Sequence, residues 1–117
     1  MTNTLEAIET VLNDIALPGV PSDLEFQIIK DTKNHHYQVV VSGWRGMKRM
    51  HGIVVQIDLH GDLVWIEADN TDYDVAETLV RLGVPRDKIV LGFQPPSLRK
   101  HTGFATGEEA TSNPRTS

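Results

Sequence analysis

Cysteine is absent from all 117 residues. That excludes a disulfide framework, a cysteine-ligated zinc or iron–sulfur centre, and a cysteine nucleophile. No apolar run approaches the ~20 residues that span a bilayer. The N-terminus also lacks a basic segment leading into an apolar stretch, so a cytoplasmic protein without membrane contact is expected. Positive charge is scarce, with 11 Lys and Arg against 16 Asp and Glu and a net charge of −5. Phosphate binding over a whole surface needs clustered Lys and Arg, so any nucleic-acid contact is confined to local patches. No internal repeat is present. What remains, 39% hydrophobic and 23% charged residues, suits one soluble domain large enough to close a core without staples.

The most informative stretch runs from Lys48 to Asp69. Ile53, Val55, Ile57 and Leu59 alternate with Val54, Gln56, Asp58 and His60, the period of a half-buried strand. Gly61-Asp62 supplies a two-residue hairpin loop, with glycine taking the positive φ. A second strand follows from Leu63 to about Ala68. This loop pairs His60 with Leu63, Leu59 with Val64, Asp58 with Trp65, Ile57 with Ile66 and Gln56 with Glu67. One face is then apolar, while the other carries Gln56, Asp58, His60, Trp65, Glu67 and Asp69.

Upstream, Leu5, Ile8, Val11, Leu12 and Ile15 recur at helical spacing from Thr4, and Pro18-Gly19 stops the helix before a loop through Pro21 and Ser22. Glu25 to Asp31 reads as a strand with Phe26 and Ile28 on one face. A turn follows at Thr32-Lys33-Asn34, with Asn34 suited to a left-handed conformation. His36 to Trp44 is a strand built on Val39-Val40-Val41, and Gly43 to Gly46 connects it to the next. Downstream, Thr71 is the expected N-cap of a helix, with Asp74 as its capping-box partner. Val75, Ala76, Leu79, Val80 and Leu82 form its buried stripe, and Gly83 and Pro85 end it. Ile89 to Phe93 is a short fifth strand or edge segment, and Pro96 opens a short helix through His101. The expected fold is α+β: an antiparallel meander of about four strands packed by an N-terminal helix and a second helix after strand four, with a short C-terminal strand and helix. The domain occupies residues 1–105, and 106–117 form a polar tail expected to be disordered.

Several motifs fall in order along this chain: Gly43-Trp44, Arg49-x-His51-Gly52, Ile57-Asp58, Val64-Trp65-Ile66 and Asp69-x-Thr71. They continue with Ala76-x-x-Leu79, Gly83-Val84-Pro85, Asp87-x-Ile89-Val90-Leu91-Gly92-Phe93, Pro96-x-x-Arg99 and Thr102-Gly103-Phe104-Ala105. Together they resemble the XisI family, the fdxN element excision controlling factors of cyanobacteria, over residues 5–105. The resemblance implies an accessory role in DNA rearrangement: excision of a chromosomal element together with a recombinase and a companion protein, XisH, whose fold is nuclease-like. The implied partner is an XisH-like protein. Two glutamines, Gln56 and Gln94, stand where family members often carry His, which removes groups able to titrate or ligate. Gly61-Asp62 replaces the usual Asp-Gly, and either pair makes a tight turn.

Four kinds of chemistry are compatible with these residue types. A metal-dependent nuclease would draw on Asp58, Glu67, Asp69 and His51 or His60. Charged groups on an open sheet face are more often solvated or interfacial, so no metal, cofactor or catalytic residue is expected. His35 and His36 are adjacent on a strand and point to opposite faces. Basic residues gather at Arg45, Lys48 and Arg49 and again at Arg99-Lys100-His101, yet direct phosphate binders use about 6–10 contacts, so DNA is met only indirectly. The favoured chemistry is a protein interface. Trp44 and Trp65 fall on the face opposite the apolar stripe, and aromatic residues with Arg anchor interfaces. The candidate partner-binding residues are Trp44, Arg45, Arg49, His51, Asp58, Trp65, Glu67 and Arg99. The same patch allows homo-oligomers, since an isologous contact needs one surface only. The expected role is therefore a non-catalytic controlling factor, with two alternatives: an antitoxin-like inhibitor of a nuclease-fold partner, or a weak metal-dependent nuclease.

Overall fold

The structure is a computed structural model that describes residues 3–16 and 23–107. The expected stop at Pro18-Gly19, the loop through Pro21 and Ser22, and residues 108–117 of the tail lie outside the described residues. The elements are α1 (Thr4–Ala16), β1 (Leu24–Asp31), β2 (His36–Arg45), β3 (Lys48–His60), β4 (Leu63–Asp69), α2 (Val75–Arg81), β5 (Ile89–Leu91) and α3 (Pro96–Arg99). They make an α+β fold with a five-stranded sheet in the order β1-β2-β3-β4-β5. The first four strands form the antiparallel meander, and β5 joins parallel to β4 after the α2 crossover.

Local sequence explains the ends of these elements. Asn3 caps α1: its side-chain oxygen accepts from the Glu6 amide at 2.7 Å, while its amide donates to the Glu6 carboxylate at 2.8 Å. This is a reciprocal cap of the kind that satisfies orphan N–H groups. The β1–β2 turn is organised by Asp31, whose carboxylate accepts from the Lys33 and Asn34 amides and from the Asn34 side chain. The Asn34 side-chain bond, followed by its backbone bond, holds the Asp31 carboxyl below its ordinary pKa. The left-handed residue is His35, at φ 63°, rather than Asn34. Gly61 carries φ 63° in the β3–β4 hairpin, as a tight turn requires.

α2 starts later than its sequence suggested. Asp74, not Thr71, is the N-cap and accepts from the Glu77 amide. The Asp69 carboxylate does the work assigned to Thr71, accepting from the amides of Thr71 and Val75. Arg86 then grips Glu77 with two bonds of 2.7 Å and lies 5.2 Å from the Phe104 ring centroid, tying α2 to the C-terminal segment. α3 is a single turn, ending at Arg99 rather than His101.

The main core lies between the sheet and the two longer helices. Ala7, Ile8, Val11 and Leu12 of α1 and Val75, Ala76 and Leu79 of α2 close over Tyr37, Val39, Val55, Ile57, Val64 and Ile66. The hairpin register matches expectation from His60↔Leu63 to Ile57↔Ile66. Two bulges then depart from strict alternation. Val39 pairs with Val55 but Val40 with Ile53, so Val54 is an extra residue in β3. Gln56 pairs with Ala68, so Glu67 is an extra residue in β4. A bulge reverses which face the following residues occupy. Ile53 therefore sits on the outer face, away from the helices, and Asp69 sits on the helix side, where it can cap α2. Both were expected on the opposite faces. No described helix is long and apolar enough to cross a membrane.

Candidate functional site

The outer face of the sheet has two halves with different fates. Over β4, β5 and the end of β3, residues 92–107 turn back and cover it. Ala105 forms a parallel bridge to Val90, and its amide donates to the Ile89 carbonyl at 2.8 Å. Leu63, Trp65, Val90 and Ala105 make a second, smaller core there. Trp65 is only 6% exposed. Arg99 places its guanidinium 5.1 Å from the Trp65 ring centroid, and it is held there by bonds to the carbonyls of Gln94 at 3.1 Å and Gly92 at 3.2 Å. The His60 ring meets Trp65 edge-on at 6.0 Å.

This corrects the expected surface. Trp65 is buried in the chain rather than displayed on the sheet surface, and Arg99, half-buried, packs on its ring. Glycines make the closure feasible. A Cβ on Gly107 would lie 2.6 Å from the Trp65 ring, and one on Gly92 would lie 2.7 Å from the Glu67 carboxylate. Gly107, assigned to the loose tail from sequence, belongs to this lid. The available signal was the alternation of small residues Gly103, Ala105 and Gly107 around Phe104, which marks close backbone approach rather than looseness.

Beneath that lid sits a polar group. Asp58 is 2% exposed, and one of its oxygens accepts from His36 Nδ1 at 2.9 Å and Gln56 Nε2 at 3.3 Å. The ligating atoms of Asp58, His60 and Glu67 all lie within 4.8 Å of one another. The structure thus brings together three of the residues a metal-dependent nuclease would draw on. It leaves out Asp69, which the Glu67 bulge sends to the helix side, and His51, which pairs with Ser42 toward the other end of β3.

Over β1, β2 and the first half of β3, the outer face stays open. Trp44 is 49% exposed, with Arg49 from the paired position 5.5 Å from its ring centroid. His51 is exposed on the same side. Ile53 and Ile29, 42% and 47% exposed, lie on the same open face farther along the strands, opposite Val40 and Gln38. Arg45 parts company with Arg49. It pairs with Lys48 and lines a groove of about 510 Å³ on the helix side, with Phe26, Val41, Met50, Val54 and Tyr73. The basic cluster of the sequence is therefore split between two faces.

The XisI protein family model matches residues 1–106. The chain belongs to the XisI family. Two solved structures agree. One is an XisI-like protein from Anabaena variabilis ATCC 29413, 38% identical, with a TM-score of 0.78 over 86% of this chain and 93% of that one. The other is the fdxN element excision controlling factor XisI from the same organism, 26% identical, with a TM-score of 0.72 over 90% of this chain and 100% of that one. Curated proteins gave no significant match. For a XisI-family chain, the motif glycines acquire structural meaning. Gly43 has φ 140°, and a Cβ there would lie 2.0 Å from the Asp23 carbonyl oxygen. Trp44 follows it and donates its amide to that same carbonyl at 3.3 Å. The Gly43-Trp44 pair thus fixes the start of β1 while setting Trp44 on the outer face.

Proposed function

We propose that the chain is a non-catalytic controlling factor for excision of a DNA element and acts by binding an XisH-like partner through the open half of its sheet. The excision-related role follows the family and the name of its relative in Anabaena. The observation that carries the surface is the Arg49-on-Trp44 stack, on a face that the described chain leaves uncovered and that carries exposed Ile53 and Ile29 farther along the strands. A large exposed aromatic ring with an arginine on it is the composition of an interface centre. His51 and Ser42 lie between that stack and Ile53 and supply polar contacts within the patch. Arg45 belongs to the interface only where a partner reaches round to the helix-side groove. Contact with DNA is indirect, through the partner, because the basic residues are divided between faces and few. Self-association through the same open face, and a cytoplasmic location, complete this reading.

Two results test it. Co-expressed with an XisH-like protein, the wild-type chain is expected to co-purify as a complex. Trp44→Ala and Arg49→Ala are each expected to weaken that complex by about 2 kcal/mol or more, the cost typical of interface centres. In the second test, the purified chain alone is expected to leave plasmid DNA intact with Mg²⁺ or Mn²⁺. Cleavage that Asp58→Asn abolishes would overturn the non-catalytic reading.

A further inference from the structure

We propose that Asp58, His60 and Glu67 bind a single divalent transition-metal ion of the zinc class, seated between the outer face of the sheet and the returning C-terminal segment. Their ligating atoms lie within 4.8 Å of one another. Around zinc, with bonds of about 2.0–2.2 Å, tetrahedral ligands sit roughly 3.4 Å apart. Closing that gap falls to the half-buried His60 and Glu67 side chains.

Three features make this more than a chance cluster of polar groups. Asp58 is nearly sealed from solvent at 2% exposure, where an ionised group is costly without compensation. Its rotation is already set, because His36 and Gln56 both engage the same oxygen. Outer partners of this kind orient metal-binding carboxylates. Glu67 reaches the same point only because it is the bulged residue of β4 and because Gly92 has no side chain: a Cβ there would lie 2.7 Å from a Glu67 carboxylate oxygen. A divalent cation seated between two carboxylates is attracted by both. Arg99 is engaged with the carbonyls of Gly92 and Gln94 and with the Trp65 ring.

The donor set selects the ion class. One imidazole nitrogen with two carboxylate oxygens suits zinc and its first-row neighbours, whereas magnesium prefers an octahedral oxygen shell rich in water. Three protein ligands leave a fourth position for water or for a group brought by another molecule. The ion would fasten β3 to β4 beneath the lid.

The test uses the full 117-residue chain, stripped with chelator and titrated with ZnCl₂ by calorimetry. One equivalent is expected to bind and to raise the melting temperature as mass action requires. His60→Ala and Glu67→Gln are each expected to weaken zinc binding at least about tenfold, the scale of loss at metal sites. Absence of saturable binding would overturn the proposal. So would binding that both variants leave unchanged, since the ion would then sit on other histidines. A spectroscopic arm does not depend on altering the ligands. With Trp44→Phe, Trp65 is the remaining tryptophan of two, and its ring lies 6.0 Å from that of His60. One equivalent of Co²⁺ is expected to quench its emission, and unchanged emission at saturating Co²⁺ would count decisively against the site.

Discussion

Trp65→Ala is expected to destabilise the protein by about 3–5 kcal/mol, the range for removing a large buried aromatic side chain. The loss is concentrated because Trp65 is the centre of the second core and touches three elements at once. Without its ring, Leu63, Val90 and Ala105 lose their common neighbour, and the Arg99 guanidinium loses the surface on which it rests. In thermal unfolding the melting temperature should fall by on the order of 10–20 °C for a domain of this size. Trp44→Ala, on the exposed half, should shift stability by no more than about 0.5 kcal/mol, as surface substitutions do. Equal effects at the two tryptophans would mean that the C-terminal lid is not seated as described.

Gly43→Ala is expected to cost about 3 kcal/mol or more. Two separate penalties combine there. A side chain at φ 140° is strained whatever space surrounds it, and the new methyl would meet the Asp23 carbonyl oxygen at 2.0 Å, with Leu24 Cα at 2.9 Å. Backbone on one side and backbone on the other leave no flexible side chain to yield. The start of β1 would have to move, taking the Trp44 amide bond to Asp23 with it. Gly52→Ala is the matched control, since a Cβ at that position meets nothing within 4 Å. Urea denaturation of both variants should separate them clearly. A Gly43→Ala protein as stable as the Gly52→Ala control would show that this close approach is not maintained in solution.

Much of the architecture was legible because it rests on local rules. The helical spacing of Ile8, Val11 and Leu12, the hairpin at Gly61-Asp62 and the helix stop at Gly83 each need only a few neighbouring residues to specify them. The register near the hairpin was equally readable, as the pairs from His60↔Leu63 to Ile57↔Ile66 show. It failed beyond Ile57 because a bulge leaves no composition signal in Gln56 or Glu67. One unseen bulge moved Asp69 to the helix side, and the other moved Ile53 to the outer face. The larger miss concerned Trp65. Alternation reports that a residue faces away from the main core, but not whether a later segment returns to cover that face. The covering segment, from Gly92 to Gly107, is short of large apolar residues and closes through backbone approach to an aromatic ring. Small residues of that kind read equally well as a loose tail. The short turn between β2 and β3 brings Arg49 onto Trp44, whereas the sequence grouped Arg49 with Arg45 and Lys48 and Trp44 with Trp65.

The most direct test of the account is the affinity between the purified chain and an XisH-like partner, compared across three proteins: wild type, the Trp44→Ala, Arg49→Ala double variant, and Ser97→Ala as a control on the covered side of the molecule. The double variant is expected to bind at least about 100-fold more weakly, the equivalent of about 2.7 kcal/mol, with the control binding like wild type and all three equally folded by circular dichroism. A double variant that binds as tightly as wild type would contradict it, because the open half of the sheet would then not be where this protein meets its partner.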